Sequence, residues 1–206
     1  MRVIAVVDYD AGNLRSITHG LRLAGAHVEV TSDPAVVQAA TAVVVPGVGA
    51  ASDTMASLRS HGLEQVIADT VRGGKPYLGV CMGLQVLLTY SEEGGRHPCL
   101  DVFPGVVARL PGGVKVPHMG WNQILHDGSH PLLAGIPNGA NVYFVHSYYA
   151  SPADDSCVIG RTEYGIPFPS VLARENLMAT QFHPEKSGRW GLMLLRNFVQ
   201  LAGEAA

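Results

Sequence analysis

The chain has 206 residues, of which 47% are hydrophobic and 15% charged, with 24 glycines and 13 prolines. This composition describes a compact globular protein with many tight turns and excludes a disordered or fibrous one. A formal net charge of -3, with 14 lysines and arginines scattered along the chain, argues against a nucleic-acid binder.

Three cysteines, Cys81, Cys99 and Cys157, form no Cys-x-x-Cys pair and no spacing with histidine that suggests zinc or another metal. A sparse, odd set fits a reducing compartment. The apolar run that opens MRVIAVVDYD stops at Asp8, too short for a signal-peptide core or a membrane span. The expectation is a cytoplasmic protein with one domain over residues 1–206.

Val3 to Val7 is a continuous, mostly β-branched run, as expected of a strand buried on both faces of a parallel sheet. DYDAGNLRS then turns through Gly12, and Leu14, Ile17, Leu21 and Ala24 mark one face of a helix that stops at Gly25. His27 to Thr31 supplies a second strand. Asp33-Pro34 is an N-cap followed by proline at the first helical position, and Ala42 to Val45 is a third strand. The alternation is that of an α/β protein with a mostly parallel sheet flanked by helices. After the third strand, Pro46-Gly47-Val48-Gly49 is either a plain tight turn or a loop whose backbone N–H groups face a ligand. A nucleotide phosphate loop is not supported, because no Gly-x-x-x-x-Gly-Lys-Ser/Thr occurs.

KPYLGVCMGLQ, residues 75–85, carries the chemistry. An apolar run from Tyr77 to Val80 leads into Cys81, and Leu84, Leu87 and Leu88 follow at helical spacing, which predicts strand, sharp turn and helix. Gly79 and Gly83 flank the cysteine as Gly-x-Cys-x-Gly, the thiol counterpart of a serine nucleophile elbow, where missing side chains let strand and helix cross closely. The first N–H groups of the helix favour thiolate over thiol and can hold an oxyanion. Without the flanking glycines, Cys81 would read as a small buried residue at a tight junction.

Beyond the SEEGG loop at 91–95 the pattern changes. Shorter β-like runs at Val106 to Leu110, Asn141 to Val145, Cys157 to Thr162, Ser170 to Ala173 and Met178 to Phe182 predict a mixed sheet. A last helix, Gly188 to Leu201, turns Leu192, Leu195, Phe198 and Val199 to one face. KVPHMGWN, residues 115–122, gathers Lys115, His118, Met119 and Trp121 among turn residues, as an exposed contact surface or a buried aromatic loop. In QFHPEKSG, residues 181–188, a proline separates His183 from Glu185 and predicts an extended segment in which both side chains face one way. A carboxylate beside a histidine fixes its tautomer and stabilises the imidazolium formed when it takes a thiol proton. Spacing alone does not bring Cys81 to His183, 102 positions later.

GVCMGLQ together with FHPE resembles the class I, triad-type glutamine amidotransferases, whose Cys-His-Glu site hydrolyses the side-chain amide of glutamine. DYDAGNLRS, PGVGA, SEEGG, PHMGWN, YFVHSYY and QFHPEKSG, in that order over residues 8 to 188, are similar to the glutaminase subunits of imidazole glycerol phosphate synthases. The alternative is a glutaminase subunit serving pyridoxal phosphate, anthranilate or guanylate synthesis. The resemblance implies Cys81 as nucleophile, His183 as base and Glu185 as orienting acid, the three residues that the motifs select independently. It further implies oxyanion donors at Met82 and at Val48 or Gly49, and glutamine contacts at Gln85, Glu93, Ser147 and Tyr148. A (β/α)8 cyclase partner would meet Asn13, Lys115, His118, Trp121, Tyr143 and Lys186. The cyclase would use the ammonia to make imidazole glycerol phosphate and aminoimidazole-carboxamide ribotide in histidine biosynthesis, with no metal or organic cofactor.

Overall fold

A computed structural model describes residues 3–10 and 13–204 of the chain; the turn expected at Gly12 lies outside them. The first half alternates strands β1 (Val3–Val7), β2 (His27–Thr31), β3 (Ala42–Gly47) and β4 (Tyr77–Cys81) with helices α1 (Leu14–Leu23), α2 (Pro34–Ala39), α3 (Ala51–Ser60) and α4 (Leu63–Arg72). A one-turn helix, α5 (Met82–Gln85), follows Cys81. Then come β5 (Leu88–Ser91), β6 (His97–Pro98), β7 (Phe103–Arg109), β8 (His118–Ile124), β9 (Ala140–His146), β10 (Tyr148–Pro152), β11 (Val158–Glu163), β12 (Pro167–Arg174), β13 (Leu177–Thr180) and the closing helix α6 (Gly188–Glu204).

Seven strands form the main sheet in the order β11-β12-β13-β4-β3-β1-β2. The five from β13 to β2 run parallel, while β12 and β11 add antiparallel pairs at one side. The continuous apolar runs arise because this sheet is covered on both faces. Ala5, Val7, Val43, Val45 and Tyr77 point toward α2, α3 and α4, whereas Ile4, Val6, Val44, Leu78 and Val80 point toward α1 and α6. The second half does not build one mixed sheet. Beside β11 to β13, it makes a separate four-stranded sheet, β10-β7-β5-β6, and a two-stranded ribbon, β8-β9.

Local signals fix the first half as expected. Asp33 caps α2 by accepting the Ala35 N–H at 2.8 Å, with Pro34 in the first turn. Gly25 ends α1 in a left-handed conformation, φ 97°, where glycine carries no Cβ penalty.

Individual elements also differ from expectation. The helix after Cys81 does not reach Leu88, because the carbonyls of Val86, Leu87 and Leu88 accept N–H groups from Leu100, Val102, Phe103 and Asp101 at 2.8–3.0 Å. That pairing turns the chain out of the helix and into β5. The His118 to Asn122 stretch is a strand, paired antiparallel with β9 from His118↔His146 to Ile124↔Ala140, and not a turn-rich loop.

Candidate active site

Three neighbouring parallel strands, β3, β4 and β13, end together. Gly47 of β3 lies in register with Cys81 of β4, and Thr180 of β13 with Val80. The Val48-Gly49 loop, Cys81 and the Gln181-Phe182-His183 segment therefore leave the sheet side by side at its carboxyl edge, where open α/β sheets place their ligands.

Cys81 sits at φ 53°, ψ -97°, a conformation that costs a non-glycine residue about 1–3 kcal/mol. The flanking glycines make the crossing possible. A Cβ on Gly83 would lie 1.9 Å from the Val45 carbonyl oxygen, and one on Gly79 would lie 2.3 Å from the Gly83 carbonyl oxygen. Strand and helix are thus in backbone contact on both sides of the cysteine. Tyr9, buried at the end of β1, donates its hydroxyl to the Pro46 carbonyl at 2.7 Å and so braces the start of the Gly47-Val48-Gly49 loop. In that loop Gly49 has φ 99°, and Val48 is an exposed hydrophobic residue.

His183 is buried and its Nδ1 meets Glu185 Oε1 at 2.9 Å, with both side chains 2% exposed. The segment is not extended, as the proline suggested. Pro184–Lys186 forms a 3-10 turn, in which the Lys186 N–H and the Ser187 hydroxyl both bond to the His183 carbonyl. The turn brings the pair together by a different route.

Burial disfavours the imidazolium, but Cys81 and Glu185 outweigh it and push the His183 pKa up to about 9. The contact with Glu185 is the tighter of the two, since His183 Nε2 is buried without a hydrogen-bond partner among the described residues. The Cys81 sulfur instead receives the Gln181 side-chain amide at 3.6 Å and approaches the Val145 carbonyl at 3.9 Å.

Beside Cys81 opens a cleft of about 220 Å³, lined by Val48, Gly49, Met82, Gln85, Glu93, Pro117 and the stretch Val145 to Tyr148. It is smaller than the roughly 300–1,000 Å³ of pockets for drug-sized ligands, as suits a ligand of amino-acid size. Gln85 donates its amide to the Tyr148 carbonyl at 2.8 Å and to Gln181 Oε1 at 3.2 Å, leaving its own Oε1 buried and unpartnered. Glu93 accepts the first helical N–H of α3, that of Ala51, at 3.3 Å.

Of the residues expected at the surface, Lys115 and Lys186 are exposed. Trp121, 58% exposed, packs edge-on to Tyr143 with ring centroids 6.0 Å apart, and the Lys186 ammonium lies 5.8 Å from the Tyr143 ring. His118 is not a surface residue. It is 3% exposed, stacked between Phe144 and Tyr164, and its Nδ1 meets His146 Nε2 at 2.9 Å. The inward side of the β8-β9 pleat places it there, while Met119 and Trp121 point outward. Asn13 is half-buried and turns its amide to Glu185 Oε1.

Gln181, His146 and Tyr9 are the polar residues of this region that motif reading did not single out. A polar residue set between the last residue of β13, Thr180, and the apolar Phe182 was the available signal for Gln181.

A cysteine on a strand-to-helix elbow at the carboxyl edge of a parallel sheet, with a buried His-Glu pair just after the neighbouring strand, is the layout of an α/β nucleophile site. The family model described as glutamine amidotransferase class-I matches residues 5–201, and the chain belongs to that family. It is 54% identical to imidazole glycerol phosphate synthase subunit HisH of Herpetosiphon aurantiacus over 200 residues, 97% of this chain and 95% of that protein. It is 50% identical to the same subunit of Methanothermobacter thermautotrophicus over 199 residues, 97% of this chain and 98% of that one. Among solved structures, a glutamine amidotransferase crystal structure superposes with TM-score 0.76 at 21% identity, covering 97% and 98% of the two chains. A glutamine amidotransferase from Thermotoga maritima gives 0.70 at 15%, covering 98% of each. At these identities the two structures speak for the fold.

Proposed function

We propose that this chain is the glutaminase subunit of an imidazole glycerol phosphate synthase, with Cys81 as nucleophile, His183 as its base and Glu185 as the carboxylate that orients the base. The observation that carries the reading is the elbow: Cys81 stands at a positive-φ turn beside the buried His183–Glu185 pair. The assembly partner is the cyclase subunit, and the compartment we infer is the cytoplasm. Among the described residues, no helix is long and apolar enough to cross a membrane.

Glutamine enters the cleft beside Cys81 and is held by Gln85, Glu93, Ser147 and Tyr148. The buried, unpartnered Gln85 Oε1 is an acceptor in want of a donor, and a substrate N–H supplies one. His183 takes the thiol proton, and the sulfur attacks the carboxamide carbon. The carbonyl electron pair moves onto oxygen, where the N–H of Met82 and that of Val48 or Gly49 stabilise it. Collapse of the tetrahedral adduct breaks the C–N bond, and His183 returns its proton to the departing nitrogen as ammonia. Glu185, 2.9 Å from His183 Nδ1, supports the imidazolium that acts as the acid for that step. Water, giving its proton to His183, then attacks the thioester; glutamate leaves and Cys81 recovers a proton. Ammonia passes to the cyclase across the surface that carries Lys115, Trp121, Tyr143 and Lys186, with Asn13 and His118 supporting it from beneath.

The test is Cys81→Ala in the assembled synthase. Glutamine-dependent synthesis should disappear, while synthesis from added ammonium salt continues at the wild-type rate. Retention of glutamine-dependent turnover would refute the assignment of the nucleophile.

A further inference from the structure

We propose that Gln181 is a further catalytic residue, which donates its side-chain N–H to the Cys81 sulfur and, through Gln85, ties the nucleophile to the residue that receives the substrate. The proposal rests on the reading of Cys81 as nucleophile.

The direction of every bond in this chain of amides is fixed by the carbonyl at its far end. Gln85 Nε2 lies 2.8 Å from the Tyr148 carbonyl, which can only accept, so this atom is the donor. Its second contact, at 3.2 Å, must then be with the oxygen of Gln181, and the Gln181 nitrogen is the atom 3.6 Å from Cys81 Sγ. Gln181 is fully buried, so water does not compete for either end. Its place follows from the sheet, because it directly follows Thr180, the partner of Val80, and β4 ends in Cys81 beside it.

The bond favours ionised sulfur. A neutral thiol can point its hydrogen to the Val145 carbonyl, 3.9 Å away. Once that hydrogen is lost, the carbonyl faces a negative sulfur, whereas the Gln181 N–H gains a charged acceptor and strengthens. A hydrogen bond to a charged group shifts an equilibrium by about tenfold or more. The same amide then holds the sulfur in line during attack, while its oxygen keeps Gln85 turned so that Gln85 Oε1 is free for substrate.

The titratable groups around the sulfur come from several elements: Tyr9 after β1, Glu93 after β5, His146 ending β9, Tyr148 opening β10, and the His183–Glu185 pair after β13. All of them remain in the variants that test the idea. Gln181→Met removes the N–H at similar volume. Gln181→Glu keeps the length and the acceptor for Gln85 but offers no N–H.

The experiment is the pH profile of Cys81 alkylation by iodoacetamide in the full chain, followed on the Cys81 peptide by mass spectrometry so that Cys99 and Cys157 do not contribute. Both variants should alkylate about tenfold more slowly at pH 7 and converge on the wild-type rate at high pH. Glutamine kinetics should divide, with kcat lowered in both variants and KM raised only in Gln181→Met. A wild-type alkylation profile in Gln181→Met overturns the proposal, whatever the charge in Gln181→Glu does. If neither variant folds, wild type with labelled glutamine amides decides the question by NMR. The Gln181 amide protons should titrate with Cys81 and stop doing so in Cys81→Ala; an unresponsive Gln181 overturns the proposal equally. Alkylation is read without glutamine, so it stands apart from the Cys81→Ala test of the function itself.

Discussion

Asn13 and Glu185, 172 residues apart in sequence, meet through a hydrogen bond from the Asn13 side-chain amide to Glu185 Oε1, the same oxygen that accepts His183 Nδ1 at 2.9 Å. Asn13 is held at φ 79° just before α1, and its carbonyl accepts the Ser16 and Ile17 N–H groups; asparagine is among the few residues that adopt this conformation readily. A residue at the start of α1 thus touches the carboxylate that meets His183.

Asn13→Ala should therefore lower glutamine turnover about tenfold or more, the effect of one hydrogen bond to a charged acceptor, with little change in KM. Asn13→Asp should do more harm, since it sets a second carboxylate against Glu185. Glutamate release by the two variants in complex with the cyclase measures both. Equal turnover in wild type, Asn13→Ala and Asn13→Asp would show that Asn13 does not act through Glu185.

The backbone contact at the elbow gives a sharper structural test. A Cβ on Gly83 would collide with the Val45 carbonyl, a backbone atom of a central strand that cannot swing aside, whereas one on Gly112 would meet nothing within 4 Å. Overpacking in a core costs about 1–3 kcal/mol and occasionally more. A chain of this size loses about 2–4 °C in Tm per kcal/mol. Gly83→Ala should thus melt roughly 5–10 °C below wild type and lose glutaminase activity, because the elbow must shift, while Gly112→Ala should melt within about 2 °C of wild type. Calorimetry on the two variants compares them directly.

The parts of the molecule that were legible in the sequence are those where one local rule acts alone. The strand Val3–Val7, the Asp33-Pro34 start of α2 and the Gly-x-Cys-x-Gly elbow each follow from apolar period, capping chemistry or the space a glycine leaves. Where two rules fit the same residues, the tertiary structure decides. Leu84, Leu87 and Leu88 suit a helix face, but a buried strand accepts Leu88 equally well, and pairing with residues 100–103 selects the strand. Along His118–Ile124 the exposed side carries Met119 and Trp121, the reverse of a polar-out strand, so the pattern reads as irregular. Gln181 and Asn13 act through contacts about 100 and 172 positions away, which no local pattern encodes.

Glu185→Gln keeps a hydrogen bond to His183 Nδ1 but removes the negative charge that supports the imidazolium. Turnover should fall by about 10² to 10⁴, the upper limit being the loss seen when a serine-enzyme triad loses its carboxylate charge. The variant also carries a stability signature. A histidine raised from 6.5 to about 9 on folding, by Cys81 first and Glu185 second, binds more protons in the native state, so the share that Glu185 contributes is complete below pH 6.5 and fades as pH rises through 9. Wild type should therefore be more stable than Glu185→Gln at pH 6, and the gap should narrow by pH 9.5. A gap that widens toward high pH would contradict the charged pair.

The His118–His146 pair should act in the opposite direction. His146 Nδ1 faces the Tyr148 carbonyl at 2.9 Å and so carries the hydrogen, leaving Nε2 to accept from His118 Nδ1, whose own Nε2 faces the Asn122 amide at 3.2 Å. Both rings are neutral in this arrangement. Burial pushes the His118 pKa down to about 4 and that of His146 down to about 3. The unfolded chain thus takes up protons below pH 6.5 that the native chain refuses, and stability should decline as pH falls from 6.5 toward 4. Urea unfolding at pH 7, 6 and 5 should show that decline in wild type and a shallower one in His146→Asn. A parallel decline in both would mean that other groups set the acid limit.

Cys81 is held at a thermodynamic cost. Cys81 occupies φ 53°, ψ -97°, and such a conformation destabilises a residue bearing a Cβ by about 1–3 kcal/mol. Glycine at a strand or helix position is ordinarily the worse choice, by roughly 0.5–1 kcal/mol relative to alanine, because it frees the unfolded chain. The two effects oppose each other at this position, and the strain is the larger. Cys81→Gly should accordingly be more stable than Cys81→Ala by about 0.5–2 kcal/mol, a difference of roughly 1–8 °C in Tm, although both lack the thiol and neither hydrolyses glutamine. Both also lose the same sulfur contacts with Gln181 and Val145, so the comparison isolates the backbone. If Cys81→Ala proved the more stable of the two, the elbow would be relaxed, and the protein would hold its cysteine in place by packing alone.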